Sequence, residues 1–520
     1  MAAVFALLAV LVPFLGCGVI LVFRRRRWVT LACTGISFGF LLRLISEIPV
    51  EFSLYMWMNP IRIEVLIDGF SLVFALLISF LFLLCAVYSS YIKSKRYYSL
   101  LLLNLGLLLS LVFMNHIMVF YIFLEMSTIT TYFLVIHNET EEAMKAGFKY
   151  IMMNVGGALL ILSAIFLGPS SLASFLFVTG CMVKAGSFPV HVWLADAHPA
   201  APSPVSALLS GALVKVGAYS LLRFAPSFGA QSSVIVYVAL MSMVVGVFLA
   251  LIQTDIKRIL AYHTVSQMGF VLLGIGLQSN LGLSGSYLHL INHGVFKALL
   301  FLCMGCVIYA TGKRNILKLG GLKSVMPVTA AACLIGCLSI SGIPPFNGFV
   351  SKSLISHALD SDIMRALFLI TCAGTIASFT KLFRHTFLGE LKTKTKEIPL
   401  SMKVPLLVLS GLCVILGFFP GLVFTLTGVT PEYTVWNRSC LVDVLLAGGL
   451  GIAFYVISLE TKIIFRTPQL SIVDKFFYVG GKTVEYLSEL LNRWLQLDIN
   501  YYAIIMITVL VLLFLLWNSW

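Results

Sequence analysis

Charge is what this chain of 520 residues most lacks: Asp, Glu, Lys and Arg make up 11% of it. A typical soluble domain carries about 25%, so a soluble fold with a solvated surface is excluded. A cysteine framework is missing too. The eleven cysteines lie scattered, nearly all within apolar runs. Cys303 and Cys306 form a CxxC in "LFLCMGCVIYA", but no second CxxC stands beside it, which reads as packed thiols rather than a metal site. Nothing is spaced for an iron–sulfur centre, and no Gly-rich loop follows a strand to bind a nucleotide. The first apolar run, 2–23, has no basic segment before it. "RRRR" at 24–27 comes after it, the reverse of a cleaved signal peptide, so a retained helix is expected. The net charge of +14 does not mark a nucleic-acid binder, because Lys and Arg collect in short loops between apolar runs.

What is present is hydrophobic: 60% of the residues. Apolar runs long enough to cross ~30 Å of hydrocarbon as helices recur from end to end. Their uninterrupted Leu, Val, Ile and Phe exclude the alternation of a β-barrel. The fold class is an all-α polytopic membrane protein with sixteen candidate spans. They are 2–23, 28–45, 69–92, 98–114, 117–136, 150–168, 171–188, 203–224, 231–252, 258–278, 284–310, 327–359, 363–388, 404–426, 441–459 and 502–518. Basic residues crowd the odd-numbered connections, for example Lys93, Lys95, Arg96, Lys257, Arg258, Lys313, Arg314 and Lys392. The even-numbered ones hold little beyond Arg62. That alternation places both termini outside. In 460–501, Val484, Leu487, Leu491, Trp494 and Leu495 recur at helical spacing, as in an amphipathic helix lying on the cytoplasmic surface or against a partner.

An ionised group in mid-bilayer costs at least ~2.5–3.5 kcal/mol, so each one present calls for a use. Glu125 lies in "YIFLEMSTITTYFLV", Lys184 in "GCMVKAG" and Lys215 in "GALVKVG". His289, His293 and Lys297 lie in "YLHLINHGVFKALLFL", Lys352 in "PPFNGFVSK" and Lys381 in "ASFTKLF". The i, i+4, i+8 spacing of His289, His293 and Lys297 puts them on one helix face, over ~12 Å of rise. Such a row suits proton hopping: His titrates near neutrality and Lys responds readily to desolvation. Glu125 and Lys184 can form an ion pair whose opening releases the Lys184 proton. Simpler readings exist for each. Lys381 can snorkel, Glu125 and Lys184 can be a structural pair, and the two histidines can serve a haem, although a bis-His haem draws on two helices.

Two spans carry a break beside a lysine. The seventh ends in "KAGSFP" and the twelfth contains "SGIPPFNGF", where Pro344 and Pro345 interrupt the hydrogen bonds. Breaks five spans apart suggest two inverted five-helix units, spans 4–8 and 9–13. The expected division is N-terminal helices at 1–97, repeats at 98–224 and 231–388, C-terminal helices at 404–459, the lateral helix at 460–501 and a last span at 502–520.

Together "FLEMSTITTYFL", "KAGSFPVHVWLADAHPAAPSPVSALLSGALVKVGAYSLLR", "DIKRILAYHTVSQMGF", "HLINHGVFKALLFL" and "GIPPFNGFVSK" resemble the antiporter-like, proton-conducting subunits of respiratory complex I, Mrp-type sodium/proton antiporters and energy-converting membrane hydrogenases. The resemblance covers roughly residues 60–420 and implies a fourteen-helix core. It implies that Glu125 and Lys184 are the fifth- and seventh-helix pair and Lys215 the central eighth-helix lysine. His289, His293 and Lys297 would be the bridge on the eleventh helix, and Lys352 the charge facing an exit half-channel on the broken twelfth. The resemblance further implies a cell-membrane location, no cofactor on this chain, and membrane partner subunits in a complex whose iron–sulfur clusters lie elsewhere. "NETEEAMKAGFKYIMMNVGGALL" and the overall size are similar to the hydrogenase and sulfane reductase group. An Mrp-type exchanger is the alternative, and a scaffold with a dead channel a third, which the filled charge positions disfavour. Whether H+ or Na+ moves stays open.

Overall fold

The computed structural model describes residues 1–22, 26–55, 62–229, 232–428 and 433–460. The expected lateral helix at 460–501 and the last span at 502–518 lie outside the described residues. The chain enters through α1 (Ala2–Val22) and α2 (Arg26–Leu44), followed by strands β1 (Val50–Tyr55) and β2 (Arg62–Ile67). Four continuous helices come next: α3 (Gly69–Tyr88), α4 (Lys95–Phe113), α5 (Ile117–Val135) and α6 (Glu141–Leu167). Then come α7 (Ser171–Ala185), α8 (Val192–Ala200), α9 (Ser203–Leu208) and α10 (Lys215–Phe224), the last two joined by a π turn at Leu209–Leu213. α11 (Ser232–Ile252), α12 (Ile256–Leu277) and α13 (Asn280–Thr311) are unbroken. α14 (Pro327–Ser341) and α15 (Asn347–His357) are two halves of one span. α16 (Asp362–Phe387), α17 (Leu400–Phe418), α18 (Gly421–Thr427) and α19 (Arg438–Glu460) complete the described chain.

Twelve of the described helical segments are long and apolar enough to cross a membrane. α7 and α14 are apolar but short, because each stops at a break. Every expected span before residue 460 falls on a helix or helix pair, the span at 28–45 on α2, which is not among those twelve. The protein is thus an all-α polytopic membrane protein. Two features were not legible in the sequence. The connection after α2 holds a β-hairpin pairing Val50 with Ile67 and Phe52 with Val65. Its Val50, Val65 and Ile67 side chains are buried, and Asn115 N–H donates to the Glu64 carbonyl. The "WLADAHPA" stretch after the first break forms the helix α8.

Starts and stops follow local chemistry. Ser94, Thr140 and Ser170 each accept from the backbone N–H three residues on, capping α4, α6 and α7. The Thr140 cap extends α6 to Glu141, well before its apolar run, on the strength of its acidic first turn. The two breaks share one backbone pattern. Gly186 and Gly342 adopt φ +64° and +76°, open to glycine at little cost. At the first, Gly186 N–H donates to Val183 and Ser187 N–H to Met182; at the second, Gly342 N–H donates to Ser339 and Ile343 N–H to Leu338. Both are Schellman endings.

α12 is enclosed along its whole apolar window, and α4, α9–α10 and α13 nearly so. α1, α6 and α19 leave most of theirs outward, showing Phe148, Phe166 and Leu445. Lipid makes such exposure harmless, so tight packing between helices, rather than apolar burial, holds the bundle.

Asp68 caps α3 in a reciprocal box with Ser71 and binds Arg223 of α10. Burial pushes its carboxyl up, but the Ser71 N–H and the Arg223 guanidinium outweigh this and hold it below the ordinary value. Its contribution is therefore complete above about pH 4 and is lost as pH falls through the lower folded value. Asp68→Ala is expected to cost about 1–2 kcal/mol, read as a lowered unfolding temperature in detergent at pH 7. An unchanged temperature would remove the cap from the account.

Candidate functional site

The sequence places an acid and a lysine in nearby spans, and the fold joins them. Lys184 Nζ donates to Glu125 Oε1 at 3.0 Å and to Thr128 Oγ1 at 2.8 Å. The Lys184 side chain is 5% exposed and that of Glu125 19%, so the acid keeps an edge open. Lys184 sits in the last turn of α7, where the free carbonyl end of the helix favours a cation. Beside it a cavity of about 20 Å³ runs between Thr128, Asn154, Trp193, Leu209 and Leu213. That is room for a single water, and it ends against the π turn.

The π turn explains Lys215. Val214 N–H reaches back five residues to Leu209 at 3.1 Å, so the Ser210 carbonyl loses its usual i+4 donor. Lys215 Nζ takes that carbonyl at 2.6 Å. The same ammonium stands 3.0 Å from His293 Nδ1. α13 approaches because glycine faces glycine: a Cβ on Gly294 would lie 2.9 Å from the Gly211 carbonyl. Lys215 and His293 are both completely buried.

From His293 the row continues along α13. The His289 and His293 rings lie parallel, 6° apart, with centroids 6.1 Å apart. His289 Nδ1 is 2.9 Å from Ser351 Oγ and its Nε2 is 3.2 Å from Gln267 Oε1. Ser351 precedes Lys352, whose ammonium donates to the Ile340 carbonyl at 2.7 Å and stands 4.7 Å from the centroid of the Phe270 ring. His289, His293 and Lys297 are all completely buried along α13, and His289 and Lys297 both reach α12. Lys297 turns towards α12, donating to the Leu260 carbonyl at 2.5 Å with the Phe301 ring 5.1 Å away.

Lys381 does not snorkel. It is fully buried and caps the end of α11 by donating to the carbonyls of Leu251 and Gln253. His263, 2.7 Å from Ser378, and Gln267 were not singled out, although "DIKRILAYHTVSQMGF" contains both. A polar side chain on a helix with no exposed face was the available signal. Cys303, Cys306, Cys333 and Cys337 are all buried on α13 and α14, with the last two sulfurs 3.9 Å apart. Among the described residues no group of three or more His, Cys, Asp or Glu is placed to hold a metal.

An enclosed row of acid, amine and imidazole groups crossing an all-α bundle defines a class of antiporter-like membrane proteins. A family model described as "NADH:quinone oxidoreductase/Mrp antiporter, TM" matches residues 114–168 and 168–380, which is more than half of the chain, and the protein belongs to that family. Hydrogenase-4 component B of Escherichia coli is 33% identical over 412 residues, 67% of this chain and 61% of that protein. A Na(+)/H(+) antiporter subunit from Alkalihalophilus pseudofirmus is 32% identical over 491 residues, 80% of this chain and 60% of that protein. The chain thus spans about three-fifths of the length of these relatives. A chain of the archaeal membrane-bound sulfane sulfur reductase shares the fold, with TM-score 0.79 and 23% identity over 97% of this chain and 99% of that one.

Lys184→Met strands the Glu125 carboxylate against an apolar side chain. It is expected to destabilise the protein by about 3 kcal/mol, and Glu125→Gln added to it is expected to restore most of the loss. Thermal unfolding of the four proteins in detergent measures this, and strictly additive effects would mean that the two groups do not act as a pair.

Proposed function

We propose that this chain is a proton-translocating subunit of a redox-driven membrane complex, in which Glu125, Lys184, Lys215, His293, Lys297, His289 and Lys352 form a proton relay. The observation that carries the reading is the 3.0 Å contact of Lys215 Nζ with His293 Nδ1 in the fully buried centre of the bundle. An ammonium only donates, so with Lys215 charged the imidazole accepts; once the proton has moved, the neutral amine can accept in return. The contact works in both directions without rearrangement. Nε2 of His293, Nε2 of Gln267 and both side-chain polar atoms of Asn347 are buried without a protein partner. Water at these atoms would complete the path towards Lys352.

Opening of the Glu125–Lys184 pair frees the Lys184 proton to move through the adjoining water-sized cavity towards Lys215. Closing it holds the proton back. The redox chemistry, with its iron–sulfur clusters, would belong to partner subunits. Support for a redox partner comes from the match of nearly the whole chain to part of a sulfane reductase complex and from the hydrogenase component. The similarity to a Na(+)/H(+) antiporter protein favours a second reading, an Mrp-type exchanger driven by ion gradients. Proteins that co-purify separate the two: iron–sulfur subunits support the first, and a set of small membrane subunits alone supports the second.

Lys215→Ala is expected to abolish proton uptake into inverted vesicles while the complex still assembles on a native gel; retained pumping would refute the relay. Glu125→Gln is expected to lower the number of protons moved per turnover, and an unchanged ratio would count against the switch.

A further inference from the structure

Beside Lys352, beyond the row, lies a cavity of about 380 Å³ bounded by α14, α15, α16 and α19. Lys352 lines its wall, with Ser353 and His357 further along α15, Arg365 on α16, and Ser439 and Asp443 on α19. The family model matches up to residue 380, and α19 brings a carboxylate to this cavity from beyond that stretch. Within α19 up to Glu460, Asp443 is the one acid inside the apolar run "LVDVLLAGGLGIAFYVISL". An ionisable group held in such a run needs a use. Among the described residues no basic side chain forms an ion pair with it.

The start of α19 is fixed against the end of α15. Asn437 Oδ1 accepts from Cys440 N–H at 2.9 Å, and its Nδ2 donates to Tyr433 Oη at 2.7 Å. Tyr433 lies against the His357 ring, with centroids 4.6 Å apart, and Cys440 Sγ is 3.8 Å from His357 Nδ1. Asp443 sits one turn beyond Cys440, so its carboxylate stays on the cavity wall. Arg365 is held in turn by two bonds to the Leu359 carbonyl, at 3.2 and 2.9 Å.

From this geometry we propose that Asp443 is the acceptor that draws the proton off Lys352 and hands it to the outer surface. The inference rests on the relay reading above. The Lys352 ammonium gives a proton to cavity water and becomes a neutral amine. The Asp443 carboxylate takes a proton from that water and becomes a carboxylic acid, then releases it outward and returns to carboxylate. At about 380 Å³ the cavity has room for several waters across the gap. The fixed charge of Arg365 at the same wall opposes the return of a cation towards Lys352. α19 therefore acts as more than a lipid-facing cover: it supplies the last station.

The test uses the whole complex in vesicles, with Asp443→Asn, Asp443→Glu and Lys215→Ala side by side. Asp443→Asn is expected to slow translocation by about tenfold, less than the loss of an in-line acid–base group because water can bypass it. It should also flatten the dependence of rate on outer pH, which Asp443→Glu restores. The groups facing Asp443 are Lys352 and His357 from α15, Arg365 and Cys372 from α16, and Cys440 on α19, and all stay in place in these variants. A wild-type rate and pH profile in Asp443→Asn, with Lys215→Ala inactive, would overturn the exit role and leave the relay standing. An active Lys215→Ala would overturn the relay and this inference with it. Labelling of the wild-type complex with a hydrophobic carbodiimide decides the matter if Asp443→Asn fails to assemble. Modification of Asp443 that rises as outer pH falls is expected, and no modification at any pH would refute the proposal.

Discussion

Backbone carbonyls, more than carboxylates, make this interior tolerable for ammonium groups. Lys215 rests on the Ser210 carbonyl, Lys352 on that of Ile340, Lys297 on that of Leu260, and Lys381 on those at the end of α11. An isolated charge cannot enter a dry interior without partners for its donors, and unbroken helices have few carbonyls to spare. The bundle supplies three of these sets by interrupting helices: a π turn before Lys215, a Schellman ending before Lys352, and the end of α11 under Lys381; the Leu260 carbonyl under Lys297 lies inside the continuous α12. At those three positions the helix break and the buried lysine answer one constraint.

This form of solvation also fits the chemistry. A lysine that loses its proton beside a carboxylate leaves an uncompensated anion behind, whereas one held by carbonyls leaves only neutral groups. For the proposed relay, this removes the cost of leaving an unpaired anion when a lysine gives up its proton. Lys184 is the exception, paired with Glu125 at 3.0 Å. That single ion pair gives the row one position whose release requires a structural event. An asymmetry of this kind is what a switch needs, and it sits at the end of the row opposite Lys352.

Packing completes the design. With no hydrophobic drive between helices in lipid, close backbone approach sets the geometry. Gly294 against the π turn lets His293 meet Lys215 directly, and the parallel stacking of His289 on His293 follows from their spacing of one turn. Lys297, one turn further along the same stripe, donates to the Leu260 carbonyl of α12.

Much of this was legible in one dimension. Hydropathy located the spans, because a helix in lipid must be apolar along its length and its backbone bonds close within the segment. Gly-Ser-Phe-Pro and Ile-Pro-Pro located the breaks, because proline and positive-φ glycine act on the backbone locally. The charges that would need partners were visible as well. Which partners they found was not. The Glu125–Lys184 pair was foreseeable only as an opportunity. The Ser210, Ile340 and Leu260 carbonyls carry no side-chain signature, and His263, Gln267 and Asp443 became notable only when their neighbours were known. The sequence by itself determined where the helices run, where they break and which charges enter the membrane, since these depend on short-range chemistry and transfer from water. Only the tertiary structure decided which groups touch, because contact distances inside a bundle depend on the approach of helices far apart along the chain.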